Sequence, residues 1–76
     1  MISELDDVIL ACDLPQHGLN AGDLGTVVLV HRVAAGYEVE FTALDGETIA
    51  VVTLLPNQVR PVQSRAIAHA RELVGR

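Results

Sequence analysis

The sequence predicts a mainly β protein: five short strands closing into a small barrel over residues 1–63, then a C-terminal α-helix over residues 64–76. Three observations predict it. Aliphatic segments of strand length recur between Gly, Pro and Asp-Gly punctuation. A glycine-rich loop, Q-H-G-L-N-A-G-D-L-G, separates the first two of them. At Ser64 the apolar period changes from two to that of a helix.

Residues 8–14 alternate, with Val8, Leu10, Cys12 and Leu14 on one face, and Pro15 ends the strand because it has no amide hydrogen to donate. In the loop, Gly18, Gly22 and Gly25 are candidates for positive φ, which glycine alone reaches without steric cost. Leu19 reads as an inward plug and Asp23 as an acceptor for loop amides. Residues 26–33 form the strongest strand, apolar on both faces: Val27, Leu29, His31 and Val33 on one, Val28, Val30 and Arg32 on the other. A strand apolar on both sides is covered on both sides.

Ala34-Ala35-Gly36 makes a short hairpin connection to residues 37–42. There Tyr37, Val39 and Phe41 point in, and Glu38, Glu40 and Thr42 point out. Asp45-Gly46 is a hairpin turn signal, and residues 48–54 return as the fourth strand. Pro56-Asn57-Gln58 gives a single turn, and residues 59–62 a last edge strand limited by Pro61. From Ser64, the expected N-cap, the residues Ala66, Ile67, Ala70, Leu73 and Val74 share one helical stripe. A helix this short is marginal alone, so the stripe must pack on the barrel or on a neighbouring subunit.

The chain has 76 residues, half of them apolar, and its only aromatics are Tyr37 and Phe41. One domain of this size has a barely sufficient core, which favours oligomerisation. Cys12 stands alone, so neither an internal disulfide nor a cysteine-based metal cluster can form. No apolar run approaches the ~20 residues of a membrane helix. The acidic start M-I-S-E-L-D-D lacks the core of a secretory signal, and a cytoplasmic protein is expected. Net charge is −5 and lysine is absent. An acidic surface repels a phosphate backbone, so nucleic acid and anionic membrane are not the expected partners.

The outline of five strands, a long first loop and a turn before the last strand is similar to an SH3-like barrel. Gly22-Asp23-Leu24-Gly25-Thr26-Val27 resembles the G-x-x-G-x-V pattern of KOW-type domains. The longer string D-L-P-x-x-G-L-x-x-G-D-x-G-T-V-V, with Y-E-V-E-F, D-G-E-T and V-R-P-V, resembles a bacterial family of small stand-alone domains of unknown function, family 4926. The outline is also similar to the SH3-like part of the nitrile hydratase β subunit. The cysteine-rich metal motif of that enzyme's α subunit has no counterpart here, so the resemblance implies a fold and no catalysis.

His17, His31 and His69 fall on a loop, a strand and the helix without the spacing of a ligand pair, and no metal or other cofactor is expected. The turn aspartates read as hydrogen-bond acceptors, and no catalytic residue is expected. The expected function is a non-catalytic protein-interaction module that also self-associates as a dimer or tetramer, an antitoxin-like or enzyme-accessory partner. Its contacts are expected on Val28, Val30, Arg32, Ala50 and Val52 of the barrel and on Ile67, Ala70, Leu73 and Val74 of the helix. Glu38 and Glu40 form an acidic stripe for a basic partner. A KOW-like nucleic-acid binder and a small-ligand binder are the alternatives.

Overall fold

The computed structural model describes residues 2–32 and 35–73. Five antiparallel strands form one sheet: β1 (Asp7–Leu10), β2 (Leu24–Val30), β3 (Tyr37–Thr42), β4 (Thr48–Leu54) and β5 (Val59–Pro61). Their spatial order is β4-β3-β2-β1-β5. Single 3-10 turns at Pro15–His17 and Pro56–Gln58 each begin with the proline whose φ suits a tight turn. Among the described residues no helix is long and apolar enough to cross a membrane.

β3 and β4 fall where the alternation puts them. Between them the Ala43–Glu47 turn is closed by Ala43 N–H to the Glu47 carbonyl and Gly46 N–H to the Ala43 carbonyl. Gly46 has φ +94°, the conformation that made Asp-Gly a turn signal. β1 is shorter than expected. At Ala11 the chain turns aside to donate to the Gln58 carbonyl, and Leu14 survives only in a two-residue bridge with Leu19. β2 begins at Leu24 rather than residue 26, because Leu24 and Gly25 pair with Ile9 and Val8 of β1.

The main correction to the expected faces comes from a bulge in β2. Val27 pairs with Val39 and Leu29 with Glu38, so Val28 is an extra residue that shifts the phase of the strand. Before the bulge Val27 is buried; after it Val30 turns inward, not Leu29. Val30 is therefore half-buried against the core; Ala50 and Val52 are half-buried too, because they pair with the inward Phe41 and Val39 of β3, and none of the three joins Val28 in an outward face. The exposed aliphatics of this region are Val28, Leu29 and Val51. Arg32 is exposed in the turn beyond β2.

The core holds Val8, Leu10, Val27, Val39, Phe41, Leu54 and Val59 from the sheet, with Leu14 and Leu19 from the loop. Leu19 is the inward plug the sequence predicts. Each such side chain contributes roughly 1.5–3 kcal/mol by leaving water. Cys12 is only half-buried, beside the core, and accepts a weak hydrogen bond from the Gln58 amide.

The expected C-terminal helix is not formed over the described residues 64–73. Ala66 N–H to the Gln63 carbonyl closes one turn, and the chain then continues without regular structure. Nucleating a helix needs a face for its apolar stripe, yet Ile67 is 93 % exposed and Ala70 is exposed too. Val33 and Ala34 of the first hairpin, and Val74, Gly75 and Arg76 of the expected helix, lie outside the described residues.

Candidate functional site

Two clusters of polar side chains stand out, one on the outer face of the sheet and one where the C-terminal segment crosses the first loop. The outer face is built in cross-strand rows. Leu29, Glu38 and Thr53 stand side by side on β2, β3 and β4; Thr26, Glu40 and Val51 form the next row. The period-two alternation of β3 puts both glutamates on this side, as its sequence predicts.

Each glutamate is held by its neighbours. The Thr53 hydroxyl donates to Glu38 Oε2, and His31 Nε2 lies 2.7 Å from the same oxygen. The Thr48 hydroxyl donates to Glu40 Oε2 at 2.7 Å. Thr53, first, and His31, second, hold the Glu38 carboxyl below the ordinary glutamate range. Glu38 is thus a positioned negative charge, set beside aliphatic Leu29, 45 % exposed, with Val51, 54 % exposed, in the adjoining row.

The second cluster closes the loop. Asp23 accepts from the Asn20 amide at 2.8 Å, and Asp13 from the Ala21 amide at 2.8 Å. Gly18 and Gly22 have φ +70° and +98°, the left-handed turns expected of them. Gly25 does not share that conformation; it is glycine because Val39 and Phe41 lie against its α-carbon. Arg71 then grips the loop from outside. Its Nε and Nη2 donate to the two Asp23 oxygens at 2.8 and 2.6 Å, and Nη2 also donates to the Gly18 carbonyl at 2.9 Å. This two-pronged geometry fixes orientation as well as charge. The guanidinium, reinforced by the Asn20 amide, holds the Asp23 carboxyl below its ordinary range.

Asp23 accepts a loop amide as the sequence predicts, whereas the role of Arg71 is not legible there. Nothing local could have revealed a partner 48 residues away. Between this clasp and the start of β4 lies an open groove of about 640 Å³, bordered by Pro15, His17, Asn20, Thr48, Ile49 and Leu73. Leu73 is half-buried there, the one described member of the expected stripe that finds cover.

His17, His31 and His69 are not brought together: His31 sits with Glu38, His17 ends the first 3-10 turn, and His69 lies near Asn20 and Asp23. Among the described residues no three His, Cys, Asp or Glu side chains converge as metal ligands would.

Arg71→Ala should cost little stability, at most about 1 kcal/mol for a partly exposed pair. The sign of its pH dependence is set by Asp23. A carboxyl lowered on folding stabilises the fold above its unfolded pKa, about 3.9, and loses that contribution as pH falls through the folded value. Urea midpoints of wild type and Arg71→Ala should therefore differ by a constant amount at neutral pH and converge in acid. A gap that persists in strong acid would show that the clasp does not depend on ionised Asp23.

No curated protein and no solved structure matches the chain. Residues 4–61, which include all five strands and the loop with Asp23 but not the Arg71 that grips it, match the model of the Domain of unknown function (DUF4926), so the chain belongs to that family.

Proposed function

We propose that this domain is a non-catalytic protein-interaction module of the cytoplasm, built on an SH3-like barrel, that meets its partner with the outer face of β2, β3 and β4. The barrel reading rests on three features. β2 pairs with β1 through Leu24–Thr26 and with β3 from Thr26 onward. The bulge at Val28 bends it between the two pairings. Among the described residues no helix covers the core, and a sheet coiled on itself accounts for the complete burial of Val8, Val27 and Val39.

The observation that carries the function is Glu38 itself. A carboxylate held in place by Thr53 and His31, with exposed Leu29 and Val51 near it, suits a partner segment carrying Lys or Arg between apolar residues. An antitoxin-like or enzyme-accessory role would use such a face. The same charge opposes a phosphate backbone and argues against the KOW-like alternative.

The test is affinity capture followed by reconstitution with the purified partner. Leu29→Glu should weaken the reconstituted complex by about tenfold or more, the effect of losing a central apolar contact. Amide shifts on binding should centre on Val28, Glu38 and Val51. A partner whose shifts fall elsewhere, and which tolerates Leu29→Glu, would remove the reading.

A further inference from the structure

The two edges of the sheet are treated differently. β5 is three residues long, and Arg60 and Pro61 guard it with a charge and a missing amide hydrogen. β4 is the opposite edge: seven residues, T-I-A-V-V-T-L, with no charge and no proline. Along such a strand the backbone groups facing away from β3 are a template for another strand. Among the described residues they accept and donate no backbone hydrogen bond outside the sheet. Among the described residues, the C-terminal segment meets the start of β4, where Thr48 and Ile49 share the groove with Leu73.

We propose that β4 pairs antiparallel with β4 of a second copy of this chain about a twofold axis at Val51. This deepens the reading of a contact module by naming a second copy as one partner. A twofold makes the contact isologous, so the edge must suit itself. It does. Val51 faces Val51 on the outer side, Ala50 meets Val52 on the inner side, and Ile49 meets Thr53. No charge opposes a like charge, which distinguishes this edge from the rest of an acidic chain of net charge −5.

The acidic stripe does not forbid the approach. Glu38 and Glu40 lie on β3, so the stripes of two copies are separated by three strand spacings, roughly 14 Å at about 4.8 Å each. That exceeds the screening length of about 8 Å at physiological salt. The resulting sheet is continuous through both copies and leaves β5 at its two outer ends.

The test measures absolute mass by light scattering over a dilution series, for wild type and Val51→Lys. The substitution puts a cation beside Glu40, the cross-strand neighbour of Val51, and so favours the fold within one chain. In the dimer it sets two like charges directly opposite. Wild type should have twice the 8.1 kDa chain mass, and Val51→Lys the mass of one chain with an unchanged circular dichroism spectrum. Hydrogen exchange on wild type is the second readout and holds even if the variant misfolds: edge amides within residues 50–54 should gain protection as concentration rises. A wild type monomeric throughout overturns the pairing and leaves the outer-face reading to its own capture test. A dimer that survives Val51→Lys, or whose β4 amides exchange independently of concentration, also overturns it.

Discussion

Gly25→Ala is expected to destabilise the domain by about 3 kcal/mol, the upper end of what overpacking costs. A β-carbon at residue 25 would lie 2.6 Å from Val39 Cγ1 and 2.8 Å from Phe41 Cε1. Neither neighbour can move aside easily. Val39 is fully buried and Phe41 is 2 % exposed, each surrounded by the core. Backbone strain plays no part, because Gly25 lacks the positive φ of Gly18 and Gly22. A chain of this size has roughly 4–11 kcal/mol of stability in total, so the loss is a large fraction. The urea midpoint should fall while the slope stays constant. Adding Phe41→Leu should then return part of the loss, since two residues in contact do not act independently. A single variant with the wild-type midpoint would mean that Val39 and Phe41 yield freely.

The same glycine shows where the sequence was legible and where it was not. β3 and β4 were readable because each signal is local: Tyr37 to Thr42 alternates without interruption, and Asp45-Gly46 supplies a turn only glycine makes cheaply. The outward placement of Glu38 and Glu40 followed from that alternation. β2 alternates too, but an extra residue at Val28 moves every later side chain to the other face, and a bulge has no signature in a run of valines and leucines. Val30 lies inward for that reason, whereas Ala50 and Val52 lie inward because they pair with Phe41 and Val39 of β3, a register that β4 alone, apolar on both faces, does not reveal. Gly25 was legible as a required glycine but not as a required close approach, since its neighbours on β3 come from beyond the next turn. The C-terminal segment failed differently. Its period was helical, but period alone does not supply a surface to pack on, and Arg71 is held by two groups of the first loop.

Leu19→Ala should cost about 2–5 kcal/mol, the range for emptying a buried leucine site, and should act on the loop before the sheet. Leu19 is 3 % exposed, although it belongs to a loop and not to a strand. It is fixed twice: its side chain lies in the core, and its backbone exchanges hydrogen bonds with Leu14 at 2.9 and 3.1 Å. Gly18, next to it, presents the carbonyl that Arg71 grips. The plug thus holds one of the groups on which the C-terminal segment is fastened. The expected sequence of events is that amides of the loop and of the segment near Arg71 lose exchange protection first, while β3 and the centre of β2 remain protected to the global limit. Arg71→Ala should release the segment without disturbing the loop, because Asp23 still accepts from Asn20 and Leu19 still fills the core. The two variants therefore separate a loop held from inside from a segment held only from outside. If Leu19→Ala lowered protection uniformly across the sheet, the loop would be part of the same cooperative unit as the strands, and its clasp by Arg71 could not open independently.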